Sequence, residues 1–147
     1  MSKKTVCGIA IGIVLLLCCI LYFHPMPLST IITESNVLIV QVNDFGVRNG
    51  EPYIDSKSYD HITEKQKREV LELIQDYSYE KTLKTYFSDG TMEKIGDKAV
   101  SIYVYDNGSV ARFVYVSDSG QVSIDSKLYK MKNAKQFNQQ LEDILNA

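Results

Sequence analysis

An uncharged apolar stretch from Val6 to Phe23, preceded by Lys3 and Lys4, constrains this chain more than any other feature. As an α-helix rising about 1.5 Å per residue, the stretch spans about 27 Å, close to the roughly 30 Å hydrocarbon core of a bilayer. The positive-inside tendency keeps the lysine-flanked end in the cytoplasm. We therefore expect a cytoplasmic N-terminus at residues 1–5, a transmembrane anchor at residues 6–23 and an extracytoplasmic remainder.

A cleaved signal peptide is the alternative interpretation of this stretch, and it would make the protein secreted. Signal peptides have an apolar core of about 7–15 residues followed by a small-residue cleavage site. The stretch here is longer, and the residues from Tyr22 to Pro27 contain no A-x-A pattern. We favour the uncleaved anchor, which predicts a single-pass protein of the cell membrane with the lipid bilayer as its first partner.

The remainder of the chain has the composition of one exported domain. All three cysteines of the protein lie in the apolar stretch, so this domain forms no disulfide and no cysteine metal site, and packing alone must stabilise it. With Lys3 and Lys4 outside it, the remainder has 14 basic and 18 acidic residues, a formal net charge of −4, which gives no electrostatic reason to expect a nucleic-acid partner or anionic lipid.

The first part of this remainder is predicted to be mostly irregular. Two prolines indicate a linker with a first extended segment at residues 24–35. The β-branched run Val37–Val42 is typical of a well-buried strand. The polar segment Asn43–Asp60 is predicted to be a long loop, whose role the sequence does not indicate, or in part a short hairpin around Asn49-Gly50.

Two amphipathic helices are predicted from capping signals and apolar stripes. Thr63 and Gln66 match a capping box at the start of a helix of about four turns. Asn133 repeats the capping pattern before a closing helix lined by apolar residues on one side. Between them, Tyr79 to Leu83 reads as a strand that turns near Ser88-Asp89-Gly90.

The segment from Lys98 to Asp125 is predicted as antiparallel strands joined by two turns, at Asn107-Gly108 and at Ser119-Gly120. These turns place Val104 opposite Ala111, Ile102 opposite Phe113, Val100 opposite Tyr115, Ile124 opposite Tyr115 and Val122 opposite Ser117. One sheet face is then almost entirely apolar and needs helices to cover it. We expect an α+β fold with a two-layer domain at residues 36–147, a mostly antiparallel sheet packed on two amphipathic helices.

Several segments together resemble a known family. They are a capped helix from Ile62 to Ile74, the phrase Tyr79–Leu83, the strand Ser101–Tyr105 before a polar turn, the segment Leu128–Asn133 and an amphipathic closing helix. This combination, over about Asn36 to Leu145, resembles a family of small uncharacterised exported or membrane-anchored proteins of low-GC Gram-positive bacteria. The family offers no catalytic residues to transfer. Many members look like lipoproteins, and the absence of a lipobox is a departure from them.

Residues that could carry chemistry are few, and they predict no catalytic, cofactor or metal site. Asp55, Asp60 and His61 are metal-ligand types, but no spaced partner completes a motif. No serine lies in a G-x-S-x-G sequence. We therefore expect no cofactor, and the pattern does not favour enzyme activity.

A candidate interaction face is predicted on the sheet side away from the helices, where Tyr103, Tyr105 and Arg112 would lie together, with Tyr103 directly opposite Arg112. Tyrosine and arginine are enriched at interaction hot spots. The sequence thus favours a membrane-anchored extracytoplasmic binding module with a protein or peptide partner. A small cell-envelope enzyme with an unrecognised site is the alternative.

Overall fold

The computed structural model describes residues 3–33, 37–94, 96–106 and 108–147, with side chains described from residue 8 onward. In these residues it shows one eight-stranded antiparallel sheet and four α-helices, which confirms the expected α+β class. The helices are α1 (Lys3–Tyr22), α2 (Glu64–Gln75), α3 (Leu83–Phe87) and α4 (Ala134–Asn146). The strands are β1 (Met26–Pro27), β2 (Val37–Arg48), β3 (Glu51–Tyr59), β4 (Ser78–Glu80), β5 (Lys98–Asp106), β6 (Ser109–Ser117), β7 (Gln121–Ile124) and β8 (Lys127–Met131).

Within the part of the chain whose side chains are described, no helix has both the length and the apolar character that crossing a membrane requires. Predictions that involve Met1, Ser2, the stretch 34–36 or Asn107 lie outside the described residues.

The sheet has the strand order β1-β4-β8-β7-β6-β5-β2-β3, and α2 and α4 cover one of its faces. Alternate side chains of the central strands point to these helices, as the two-residue period of a strand requires. The core side chains from the sheet are Leu38, Val40, Val42, Val100, Ile102, Val104, Val114, Val116, Val122 and Ile124, and they meet Val70 and Ile74 of α2 and Phe137, Leu141 and Leu145 of α4. The helix-covered face is called the inner face below, and the opposite one the outer face.

The segment predicted as a linker contributes to this core. Leu28 and Ile32 are fully buried, and Leu28 lies in a short 3-10 helix (Leu28–Thr30). The backbone N–H of Leu28 donates to the carbonyl of Tyr77, 3.0 Å away, and Met26 pairs with Tyr79. The chain is therefore attached to the sheet within a few residues of the end of α1.

The prediction of a long loop at Asn43–Asp60 is wrong, whereas the alternative of a hairpin around Asn49-Gly50 is confirmed, although the hairpin is longer than predicted. This segment is most of a long hairpin in which β2 and β3 pair over nine positions, from Val40 with Tyr59 to Arg48 with Glu51. Asn49 and Gly50 form the turn, with φ values of 56° and 85°, as a type I′ turn requires. Because β3 is the edge strand of the sheet, much of the hairpin is exposed. Its polar residues are therefore those of an exposed edge strand and do not indicate a loop.

The predicted pairing of β5 with β6 is off by one residue. A β-bulge between Val104 and Tyr105 leaves Ala111 as the extra residue, so Val104 lies opposite Arg112 and Tyr103 opposite Phe113. A one-residue slip moves side chains to the other face of a sheet. Val114 and Val116 therefore occupy the inner face, where the sequence pattern predicts Phe113 and Tyr115.

The second turn has three residues rather than two, with Gly120 at a φ of 88°. Ile124 consequently pairs with Val114, and Val122 with Val116. The predicted partners of Val122 and Ile124 are thus wrong, although both side chains lie on the apolar inner face as expected.

The start of α2 confirms the capping box. The Thr63 hydroxyl accepts from the backbone N–H of Gln66 at 3.1 Å, and the Gln66 side chain accepts from the backbone N–H of Thr63 at 2.9 Å. Asn133 precedes α4 as predicted, but the predicted capping bond is wrong, because Asn133 has a φ of 57° and its side chain makes no capping bond. The predicted strand Tyr79–Leu83 ends at Glu80, and Leu83 begins α3.

Candidate interaction surfaces

A row of apolar and aromatic side chains crosses the outer face of the sheet. Tyr103 of β5 lies between Ile39 of β2 and Phe113 of β6, and each of these three side chains is partly exposed. The ring centroids of Tyr103 and Phe113 are 5.0 Å apart, and those of Phe113 and Tyr115 are 6.4 Å apart. Together with Tyr105, these residues define the aromatic face: Ile39, Tyr103, Tyr105, Phe113 and Tyr115.

The aromatic face is bounded on one side by the segment that follows α3. The backbone N–H of Lys94 donates to Oε1 of Gln121, 3.1 Å away, and the Lys94 carbonyl accepts from the Ser119 hydroxyl at 2.6 Å. Nearer the centre of the sheet, Tyr115 is half-buried, and this burial raises the pKa of its hydroxyl. The aromatic face is thus exposed at Tyr103 and Tyr105, and the segment after α3 limits it on the side of Tyr115.

The structure brings Tyr103 and Tyr105 together on the outer face, but it does not place Arg112 with them. Arg112 lies opposite Val104, and its guanidinium pairs with the carboxylate of Asp125 at a distance of 2.5 Å. The hydrogen bond and the charge of Asp125 raise the pKa of Arg112. The predicted direct pairing of Tyr103 with Arg112 is therefore wrong, and the bulge at Ala111 is the cause.

Helix α3 carries a second apolar surface, which the sequence pattern does not indicate. Leu83, Tyr86 and Phe87 are 77%, 74% and 88% exposed. We call these three residues the α3 patch. The Tyr86 and Phe87 rings contact each other edge to face, with centroids 5.1 Å apart. No other described helix outside α1 exposes large apolar side chains to this extent.

Polar side chains hold α3 against the edge of β8. The Thr85 hydroxyl is buried and donates to the carbonyl of Leu128 at 2.5 Å, and it accepts from the backbone N–H of Thr82 at 2.8 Å. The backbone N–H of Leu128 donates to the Ser88 hydroxyl at 2.8 Å. Leu128 lies beyond the two residues of β8 that pair with β4, so these bonds satisfy backbone groups that β4 does not reach. They also fix which side of α3 faces outward.

The end of α1 lies beside the connection between β4 and α3. The ammonium group of Lys81 lies 5.2 Å from the centre of the Tyr22 ring, and the Tyr22 and Phe23 rings are 5.0 Å apart. Lys81 precedes Leu83 by only two residues. The α3 patch therefore begins within a short distance of the point where α1 joins the domain.

The residues considered as metal ligands are not grouped. Among the described residues, no cluster of three or more His, Cys, Asp or Glu side chains could hold a metal ion. Asp55 pairs with Arg48 at 3.4 Å, and Asp60 accepts from the Ser58 hydroxyl at 2.5 Å. His61 is exposed.

Comparisons with known proteins found no match to this chain among protein-family models, curated proteins or solved structures. The resemblance to small exported proteins of Gram-positive bacteria therefore stays a prediction.

Proposed function

We propose that this protein is a membrane-anchored, extracytoplasmic binding module that holds a protein or peptide partner on its aromatic face. The observation that carries the proposal is the row Ile39, Tyr103 and Phe113, which crosses three adjacent strands and stays partly exposed. Tyrosine and other aromatic side chains supply large contact areas at low conformational-entropy cost, which is why they are frequent at binding hot spots.

The membrane anchor is supported by the environment that α1 needs. Nine large aliphatic side chains between Ile9 and Leu21 are at least half exposed, and they lie on all sides of the helix. The folded domain therefore does not cover them, whereas a bilayer would. The uncharged stretch up to Phe23 and the preceding Lys3 and Lys4 orient the domain to the outside.

The anchor is tested by fractionating cells that make the full-length protein with a C-terminal tag. We expect the full-length mass in the membrane fraction, and we expect external protease to remove the tag from intact cells. A shortened species released into the medium would show that the segment is cleaved and the protein secreted.

The binding face is tested by site-specific photocrosslinking in intact cells. A photoreactive residue at Val110, which pairs with Tyr105 and is 53% exposed, samples the aromatic face. The matched control carries the same residue at Gln75, exposed at the end of α2. We expect a discrete adduct from position 110 alone, and we expect Tyr103→Ser to abolish it. Equal adducts at both positions, or an adduct that survives Tyr103→Ser, would contradict the proposal.

A further inference from the structure

We propose that the α3 patch inserts into the interfacial layer of the bilayer beside α1, so that the domain rests on the membrane along its β4–β8 side. This inference rests on the proposed membrane anchor. It assigns a lipid-contacting role to Leu83, Tyr86 and Phe87, separate from the aromatic face.

The first observation is that α3 reverses the usual placement of polar and apolar residues. In a helix on a water-exposed surface, the apolar side chains face the core and the polar ones face solvent. In α3 the buried side chain is Thr85, while Leu83, Tyr86 and Phe87 are between 74% and 88% exposed. Such an arrangement suits a helix whose outward side meets an apolar medium.

The second observation is that this reversal is built into the fold. Thr85 and Ser88 bond the backbone carbonyl and the N–H of Leu128, so that turning α3 over would leave both groups of β8 without these partners. A polar group that is buried without a hydrogen-bond partner loses its hydration and gains nothing in return. The exposed side of α3 is therefore fixed by the structure rather than by chance.

The third observation is the position of α3 next to the anchor. Lys81 contacts the Tyr22 ring and is followed almost directly by Leu83. Aromatic residues are enriched at the level of the headgroups, where amphipathic rings are most stable. The proposed insertion therefore places Tyr86 and Phe87 of α3 in the same headgroup layer as Tyr22 and Phe23 at the end of α1.

The charges near α3 indicate how the patch would bind. Lys84 pairs with Glu93 at 2.5 Å, and the hydrogen bond and charge of Lys84 lower the pKa of Glu93. Asp89 is also close by in the chain and accepts from the backbone N–H of Thr91. Because acidic side chains offset the positive charge of Lys84, the α3 patch would bind the bilayer by burying its apolar side chains. This binding needs neither anionic lipid nor low salt.

The chain contains no tryptophan, so one introduced tryptophan reports its own surroundings. Full-length Phe87→Trp protein is reconstituted into phosphatidylcholine vesicles, with and without bromine on the acyl chains at defined depths. We expect a blue-shifted emission and several-fold quenching by shallow bromines, unchanged between low and high salt. The matched control is Val47→Trp, at a position that is 71% exposed on the hairpin at the opposite edge of the sheet, and we expect no quenching there.

Each other outcome has a distinct meaning. Protein that does not float with the vesicles would contradict the anchor itself, and the inference with it. If the Phe87→Trp protein floats while its tryptophan stays unquenched with water-like emission, the inference alone is overturned. A blue shift without bromine quenching would mean that protein, for instance a second copy, covers α3 and would also overturn it. Equal quenching in the Val47→Trp control would indicate non-specific adhesion and count against the proposal.

A second measurement does not depend on a tryptophan. In vesicles, trypsin should cut after Lys84 slowly in the parent protein and several-fold faster when Leu83, Tyr86 and Phe87 are all replaced by serine. In detergent the melting temperature of this triple variant should match that of the parent, since the three side chains are exposed. Equal cleavage rates in vesicles would contradict the lipid contact.

Discussion

The side-chain amide of Gln66 donates a hydrogen bond to the backbone carbonyl of Leu145, 3.1 Å away, while its carbonyl oxygen accepts from the backbone N–H of Thr63. One side chain thus satisfies a free N–H at the start of α2 and a free carbonyl at the end of α4. One end of each of these two helices depends on it, because the first N–H groups and the last carbonyls of a helix have no partner within the helix.

We expect Thr63→Ala to lower the free energy of unfolding by about 1 kcal/mol, because it removes one half of the capping box. Gln66→Ala should cost about 2 kcal/mol, because it removes the other half and the bond to Leu145. Gln66→Glu keeps the acceptor for Thr63 but removes the donor, so it should fall between the two. Urea unfolding monitored by circular dichroism measures all three, and a smaller cost for Gln66→Ala than for Thr63→Ala would contradict this assignment.

The contact between Tyr103 and Phe113 should be measurable as a coupling free energy. Their rings are 5.0 Å apart on directly paired strands. A double-mutant cycle with alanine at each position should give a coupling of about 0.5–1 kcal/mol. A control cycle between Tyr103 and the exposed Tyr86 of α3 should give none. Additive effects of Tyr103→Ala and Phe113→Ala would show that the rings do not pack on each other.

Two glycines with the same positive φ should respond differently to alanine. Gly50 and Gly90 both have a φ of 85°, which costs an alanine about 1–2 kcal/mol. A Cβ at Gly50 meets nothing within 4 Å, whereas at Gly90 it would lie 2.7 Å from Cα of Ser126. We therefore expect about 1 kcal/mol for Gly50→Ala and about 3 kcal/mol or more for Gly90→Ala, measured by urea unfolding. Similar costs at both sites would mean that the segment after α3 does not rest on the turn at Ser126.

The ion pairs of Lys98 should make the folded domain less stable at high pH. Its ammonium group pairs with the carboxylate of Glu142 and with that of Asp44 at 3.5 Å. Burial alone would lower the pKa of Lys98, but the hydrogen bond and charge of Glu142, together with Asp44, raise it above its ordinary value of 10.5. Because the folded pKa is the higher one, this stabilisation is fully present below about pH 10.5 and is lost as the pH rises through the folded pKa.

Comparing the wild type with Glu142→Gln isolates this effect, since tyrosines that titrate in the same range are present in both. The wild type should be more stable from about pH 7 to 10, and the difference should shrink above about pH 10.5. Urea midpoints at each pH provide the measurement. A difference that stays constant up to about pH 11.5 would exclude Lys98 as its source.

Local signals predicted α2 and α4 well and the sheet register poorly, for a physical reason. The capping box of α2 depends on residues three apart, so the sequence contains all of it. The register of β6 depends on which side of the strand is apolar. In β6 both sides are apolar, because Val114 and Val116 lie on one side and Phe113 and Tyr115 on the other. A shift of one residue therefore gave an equally apolar inner face, and nothing in the alternation indicated the bulge at Ala111.

The candidate surfaces were predictable only in part for similar reasons. Tyr103 and Tyr105 alternate on one strand, so their common face follows from β5 alone, whereas the position of Arg112 required the register. Helix α3 covers five residues, Leu83–Phe87, which is too short to show a helical period. Its exposure depends on the bonds that Thr85 and Ser88 make to Leu128, which is distant in the chain.

Helix α4 has a consequence for the order in which this domain can be made. Phe137, Leu141 and Leu145 complete the cover over the inner face, and Asn146 accepts hydrogen bonds from Lys57 and Tyr59 of the long hairpin. Ribosomes deliver these residues after every strand of the sheet. A chain whose α4 has not yet packed therefore carries a sheet with one partly bare apolar side, a state that is prone to aggregation until α4 covers it.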